Sequence, residues 1–467
     1  MTGARSRGRN LAVGAISLGC PKNLVDTEVM LGLLRQAGFA VVADPAQADL
    51  LLVNTCCFIE EARKEAAEAL REGIAWRRTR RARALIVAGC WPQRDPLRLR
   101  RDFPEIDALL GPGDVPQIVP IVTRALDGCG ADESEAPPKA FLYDHATPRL
   151  RATPSWTAYL KLADGCGHRC RFCVIPSVRG PYRSRQTQSV VAEARRMASE
   201  GVRELVLVAQ DTTAYGRDTK EADLAELLAR LAALDDLRWI RLLYGYPTGI
   251  TPRLVAVMAR EDKICKYLDI PFQHADRALL RSMGRPGDGE QYLNLIARLR
   301  AAMPDLALRS AFIVGYPGER EEEFARLLEF VEAAQLDRAG AFVYSREPGT
   351  PAADMEPQVP REVAELRRHA LMTLQQRISL ARNRRWLGRE VEVLVEQPGE
   401  RGVWLGRSFR DAPEVDGLVI IKPGARRLSP GQFLRVEVIE AEPYDLVGQA
   451  LPCSGDPTPR YAPGRPP

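Results

Sequence analysis

The sequence predicts an α/β protein in three parts: an N-terminal parallel α/β domain, a partial (β/α)6 barrel, and a small antiparallel β-barrel at the C-terminus. Three observations carry this. Apolar runs alternate with amphipathic helical stretches through the first 127 residues, and the same alternation repeats six times between residues 154 and 345. After Leu387 the helical period gives way to short alternating strands. At 467 residues the chain has room for more than one core.

In the first domain, residues 10–127, the strands are "LAVGAISLG", "DLLLVNT" and "RALIVAG", separated by "NLVDTEVMLGLLRQAG" and "EEARKEAAEALREGIAW". Arg5, Arg7 and Arg9 ahead of "LAVGAISLGC" superficially resemble a signal peptide ending at a modified cysteine. The apolar run is short, however, and a βα pattern continues behind it, so it reads as a first strand. A Pro-bearing linker, 128–153, leads to the barrel at 154–386. Its strands are "TAYLKLA", "RELVLVAQ", "RWIRLLYGY", "KYLDIPFQH", "LALRSAFIVG" and "AGAFVYS". Function in such barrels collects at the carboxyl ends of the strands, where Gln210, Asp211, Gln273, His274 and Glu319 lie. A helix over 360–386 leads out, residues 387–453 form the small barrel, and a tail at 454–467 with five prolines is expected to be disordered.

Net charge is +5, which permits an anionic partner without requiring one. No apolar run approaches the roughly 20 residues of a membrane span. A monomeric cytoplasmic protein without a membrane partner is expected. Ten cysteines in such a chain point to metal binding or catalysis rather than disulfides.

Cys166, Cys170 and Cys173 follow the first barrel strand in "ADGCGHRCRFCVIP", with Gly165 and Gly167 leaving room for the backbone to wrap a bulky object. Thiolates at this spacing suit three irons of a 4Fe-4S cube, with the fourth iron left open. The alternative is a zinc ion on these cysteines and His168, which would make a cramped chelate, and no second CxxC or HxxxH completes it. Cys20, Cys56 and Cys90 each directly follow a predicted strand of the first domain. Residues just past the carboxyl ends of neighbouring parallel strands converge, so a second cluster with three thiolates is expected there. Cys129, Cys265 and Cys453 match no motif and read as structural.

CxxxCxxC after the first strand of a partial barrel resembles the radical S-adenosylmethionine (SAM) enzymes. The resemblance implies that SAM takes the open iron through its amino and carboxylate groups and yields a 5′-deoxyadenosyl radical. "LGCPKNLVDTEVM", "VNTCCFI", "VAGC", "DGCGHRCRFCVIPSVRGPYRSR", "FIVGYPGE" and "PGTPA" extend it, from about Leu11 to Leu451, to the methylthiotransferases. In these the second cluster holds or donates sulfur, one SAM donates methyl, another supplies the radical, and the C-terminal barrel is of the TRAM type. Cys57 stands where that family has glycine; Cys56 keeps the common spacing and is the expected ligand. By the same resemblance Ile313, Gly315 and Glu319 lie against the SAM adenine, while strand-end position suggests Arg185 and Gln273 as orienting groups. A reducing protein such as flavodoxin or ferredoxin is implied.

Two substrates fit this chemistry: an adenosine beside the tRNA anticodon, or an aspartate β-carbon in ribosomal protein S-twelve. From Leu387 to Pro452 there are eight Arg or Lys and eleven Asp or Glu, a net of −3. An acidic module sits poorly on RNA and better on a basic ribosomal protein, unless Arg426, Arg427 and Arg435 form a local basic face. "GRSFRDAPEVDGLVII" and "YGYPTGIT" also resemble the aspartate-modifying branch. A non-catalytic iron–sulfur or zinc protein that binds RNA is the alternative of another class. Two three-cysteine sites with open positions argue against it, since structural sites are closed.

Overall fold

The computed structural model describes residues 11–79, 83–128, 131–132, 141–424 and 427–452. Arg5, Arg7, Arg9, Cys129, Arg426, Cys453 and the tail lie outside the described residues. The N-terminal domain is a six-stranded, wholly parallel sheet in the order β2-β1-β3-β4-β5-β6. Its strands are β1 (Ala12–Ser17), β2 (Ala40–Val41), β3 (Leu50–Thr55), β4 (Ala84–Gly89), β5 (Ala108–Leu110) and β6 (Ala131–Asp132). β3 and β4 are buried along their whole length, as strands covered on both faces must be, which is why they read as continuous apolar runs.

The first helix, α1 (Pro21–Gln36), begins with Pro21, whose fixed φ and missing N–H suit a first helical turn. It departs from the amphipathic pattern by burying Lys22, Asn23, Asp26, Thr27 and Glu28 in its first half. The linker is equally committed. Tyr143 is buried, and the Arg149 guanidinium lies between Glu28 (2.6 Å) and Glu193 (2.9 Å). This segment therefore ties α1 to the barrel instead of tethering it loosely.

The second domain holds six parallel strands in chain order: β7 (Thr157–Lys161), β10 (Glu204–Val208), β11 (Trp239–Leu242), β12 (Tyr267–Asp269), β13 (Ala307–Val314) and β14 (Arg338–Val343). They form two three-stranded sheets joined through a parallel bridge between Ile240 and Ile264. A short antiparallel pair, β8 (Ala163–Asp164) and β9 (Arg183–Ser184), closes off the excursion between them. The exit helix, Arg361–Arg384, packs back on β14.

The C-terminal barrel closes with five strands: β15 (Glu390–Pro398), β16 (Trp404–Ser408), β17 (Val419–Ile421), β18 (Phe433–Ala441) and β19 (Leu446–Ala450). Sequence periodicity reads 432–451 as one run. A turn in which the Glu442 N–H donates to the Asp445 carbonyl (2.9 Å) splits it into two strands. One pair, β17 with β19, is parallel, so the barrel is not wholly antiparallel as the sequence predicts. The cause is topological: closing five strands leaves one neighbouring pair running the same way. The domain is bolted to the radical barrel through Glu204, which sits fully buried between Arg241 (3.0 Å) and Arg407 (2.6 Å).

Candidate active site

The cysteine loop is held from several sides. Gly165 has φ +76°, and a Cβ there would lie 2.0 Å from the Pro181 carbonyl, so only glycine fits. The Cys166 N–H donates to Gly180 (3.1 Å), Arg171 N–H to Met283 (2.9 Å), and Ala352 N–H to Arg171 (3.0 Å). Donors face the sulfurs: Ile175 N–H lies 3.5 Å from Cys173 Sγ and Arg285 Nη1 3.9 Å from Cys170 Sγ. Burial pushes the Cys173 thiol up to about 12 and raises Cys166, so a metal must displace their protons on binding.

His168 is engaged elsewhere. Its Nε2 lies 2.7 Å from Asp211 Oδ2, and its ring stacks on Tyr246 at 3.7 Å. Among the described residues no three Cys, His, Asp or Glu side chains are placed to hold a single metal ion. Zinc needs its ligands drawn to one point at about 2.3 Å from sulfur. A cube instead seats each thiolate on its own iron, and the N–H donors facing Cys170 and Cys173 would offset thiolate charge there.

In the N-terminal domain, Cys20, Cys56 and Cys90 sit at the carboxyl edge of the adjacent strands β1, β3 and β4. Gly19 abuts Cys56 so closely that a Cβ on it would lie 2.5 Å from the Cys56 Cβ. Gly89 has φ +98° and lets Cys90 start a short helix, Cys90–Arg94. Asn23 ties the edge together: its Nδ2 donates to Leu18 (3.1 Å) and Thr55 (3.0 Å), and its Oδ1 lies 3.7 Å from Cys90 Sγ.

The adjacent cysteines differ. Cys57 is buried in a core with Leu51, Val53, Ala66 and Leu70, whereas Cys56 is half-buried beside both Cys90 and Cys20. Burial and these two neighbours push the Cys56 thiol up to about 12. At Cys20 burial also opposes the thiolate, but Lys22 and Arg179 outweigh it and bring this thiol below its usual value.

Between the two cysteine sets lies a buried ionic cluster. Arg179 pairs with Asp26 and Asp164 (3.0 Å each), donates to Asn23 Oδ1 (2.6 Å), and favours the Cys90 thiolate by its charge. Lys161 pairs with the same two carboxylates at 2.5 Å and 2.9 Å. Burial resists a charged Asp164, yet Lys161 and Arg179 hold it well below the carboxylate range. Asp164 directly precedes Gly165 and Cys166, so the cluster links the Cys90 edge to the start of the radical loop. Sequence reasoning missed Arg179, Lys161, Asp164, Asn23 and Asp26. The available signal was the polar half-helix "PKNLVD", whose charges break the apolar face predicted for α1.

The proposed SAM contacts divide. Ile313 packs against the small apolar cluster of Leu279, Met283, Tyr316 and Ala352, as does Phe172 of the cysteine loop. Gln273 is bonded to the same strand, donating to Ala311 (2.9 Å) and accepting from Ile313 (2.8 Å), and has a left-handed φ of +73°. Such strain persists where the surroundings enforce it, commonly at functional sites. Gly315 faces the exit helix instead: a Cβ would lie 2.3 Å from the Ala364 Cβ, and φ is +72°. Gly315→Ala is expected to cost about 1–3 kcal/mol, read as a lower urea midpoint. The Arg185 guanidinium is spent on Glu193 (2.6 Å), Ser189 and the Lys161 carbonyl.

Glu319 accepts from Tyr316 N–H (3.1 Å) and meets Arg367 at 3.3 Å. That long contact does not offset burial, which pushes its carboxyl up to about 7. The folded protein thus holds this proton more tightly than the unfolded chain. The resulting stabilisation is complete below about pH 4.5 and is lost as pH rises through about 7. Glu319→Gln is expected to flatten the fall in melting midpoint across that window; an unchanged slope would exclude Glu319 as its source. His274 is also pushed down, to about 4, by burial; its Nδ1 accepts from Asp276 N–H, so it is a neutral structural residue.

The barrel and its CxxxCxxC loop define a radical S-adenosylmethionine enzyme, and the radical SAM superfamily matches residues 160–331. Residues 12–111 match the uncharacterized protein family UPF0004 and residues 387–451 the TRAM domain. The radical S-adenosylmethionine methyltransferase TsrM of Kitasatospora setae, solved with cobalamin and a 4Fe-4S cluster, shares the fold. Its TM-score is 0.55 over 74% of this chain and 77% of that one, at 17% identity. The ribosomal protein uS12 methylthiotransferase RimO of Desulforudis audaxviator is 50% identical over 94% of this chain and 97% of its own length. Its counterparts in Heliobacterium modesticaldum and Pelotomaculum thermopropionicum are each 48% identical, over 94% of this chain and 95% and 99% of theirs. The chain belongs to the family of ribosomal protein uS12 methylthiotransferases.

Proposed function

We propose that this protein adds a methylthio group to the β-carbon of an aspartate in ribosomal protein uS12 (protein S-twelve). One SAM serves as methyl donor and another as radical source. The observation that carries this reading is the pair of cysteine triads flanking one buried ionic cluster, in a chain that matches the uS12 enzymes over nearly its whole length.

Cys166, Cys170 and Cys173 would hold one 4Fe-4S cluster, and Cys20, Cys56 and Cys90 a second. Bound there, such clusters supply an open iron for SAM, the electron that cleaves its sulfonium, and a site for the sulfur to be transferred. The chain's own residues do the rest. Gly165 lets the loop turn tightly, Arg285 and the Ile175 N–H offset thiolate charge, and Ile313 with Gln273 forms a wall beside the loop for the cosubstrate. Lys161, Arg179 and Arg149 seal the seam between α1 and the barrel with buried ion pairs that fix the two cysteine edges relative to each other.

The choice of protein over tRNA rests on charge. Burial removes Arg407, Arg410, Asp411 and Asp416 from solvent, two of each sign, so the acidic excess of the TRAM domain remains on its surface. Arg435 is neutralised by Glu390 at 2.8 Å. Among the described residues no helix is long and apolar enough to cross a membrane. A cytoplasmic monomer reduced by flavodoxin or ferredoxin completes the proposal. The test is the intact mass of uS12 from cells with and without the gene. Loss of one methylthio group on deletion, restored by the wild-type gene, is expected; an unchanged mass would turn the search to tRNA nucleosides.

A further inference from the structure

The loop between β16 and β17, "SFRDAPEVDG", leaves the TRAM barrel and enters the radical barrel. Arg241 donates to the carbonyls of Ser408 (3.2 Å) and Phe409 (2.6 Å), Arg410 meets Asp337 (3.2 Å), and Asp411 meets Arg338 (2.9 Å). Asp416 receives the Tyr267 hydroxyl at 2.6 Å and lies 3.4 Å from Arg309, while Ala412 is fully buried. Every charge on this loop is therefore anchored except one. Glu414 is exposed, makes no hydrogen bond or ion pair among the described residues, and sits at φ +67°. A glutamate in the left-handed region carries a backbone cost, and here the anchors on both sides impose it.

The direction of this loop matters. Asp416, two residues from Glu414, meets Arg309, whose guanidinium pairs with Asp269 (2.9 Å), and Asp269 Oδ2 accepts from the Tyr244 N–H (3.3 Å). The Tyr244 ring lies 3.3 Å below the Lys22 ammonium, two residues from Cys20, and its backbone is itself left-handed at φ +59°. A path of Cys20, Lys22, Tyr244, Asp269, Arg309 and Asp416 thus runs from the cysteine-bearing edge to the loop that carries the unpaired Glu414.

We infer that Glu414 is a substrate-specificity residue, whose carboxylate pairs with a lysine or arginine flanking the modified aspartate. This rests on the function proposed above. The substrate side chain is itself an anion, so an unpaired carboxylate near it repels an isolated aspartate. It favours one that arrives beside a cation. The TRAM domain then reads sequence next to the reaction, besides whatever its outer surface does.

The test uses the full chain, reconstituted anaerobically, with uS12 as substrate and Glu414→Gln and Glu414→Arg as variants. Glu414→Gln raises KM for uS12 about tenfold, with the change in KM rather than kcat. Lysines and arginines of uS12 around the modified residue are then changed singly to glutamate. One such uS12 variant is modified poorly by the wild-type enzyme and restored by Glu414→Arg. An unchanged KM in Glu414→Gln, or no restoration at any position, overturns the inference. Failure of the wild-type enzyme to modify uS12 overturns the function itself, and so the two failures are distinct.

Discussion

Cys170→Ala is expected to abolish formation of 5′-deoxyadenosine from SAM, whereas Cys56→Ala keeps it and loses only the methylthio product. The two thiols belong to separate edges. Cys170 lies in the β8–β9 excursion, with the Arg285 guanidinium beside its sulfur. Cys56 lies beyond β3 against Gly19. With two of three thiolates left, each variant should lose iron from its own site alone, so iron content falls by about half in either. The change at Cys170 removes the electron source, the change at Cys56 the place where sulfur is kept. Cys57→Ala is the control: it trims a buried core side chain and costs about 1 kcal/mol, with both products retained. Loss of 5′-deoxyadenosine in Cys56→Ala would mean that the triads do not divide the work as proposed.

The second large effect is at Arg179. Replacing it with methionine keeps the volume but leaves Asp26 and Asp164 buried with one cation fewer. Breaking a buried pair costs about 3–5 kcal/mol, and the low end, about 3 kcal/mol, applies because Lys161 still pairs both carboxylates. The same change removes a favourable positive charge from beside Cys90 and a partner from Asn23. The iron bound by the N-terminal triad is therefore expected to be lost at lower chelator concentration than in wild type. Iron at the radical loop should be retained. Equal lability of both sites would reduce Arg179 to a stability element.

Much of this was legible in the sequence because cysteine placement is a topological statement. Cys20, Cys56 and Cys90 each end a strand, and parallel neighbours put such positions on one edge. The six barrel strands were legible for the same reason, their apolar runs being bounded by loops. Polar strand-end residues were not, since a cap and a ligand contact look alike. Glu319 secures its own loop and Arg367, Arg185 serves Glu193, and His274 accepts from the Asp276 N–H just ahead of the next helix, none of which has a sequence signature. The ionic cluster at Arg179 was hidden because its members lie up to 156 positions apart in the chain. The parallel β17–β19 pair escaped because strand direction in a closed barrel depends on order, which periodicity does not encode.

The most direct test is to supply uS12 with deuterium at its aspartate β-carbons to the reduced, reconstituted enzyme and weigh the 5′-deoxyadenosine formed. Transfer of deuterium into 5′-deoxyadenosine, with one methylthio group gained by uS12, is the expected result. Deuterium-free 5′-deoxyadenosine with uS12 unmodified would contradict the account, leaving a radical enzyme whose hydrogen comes from another substrate.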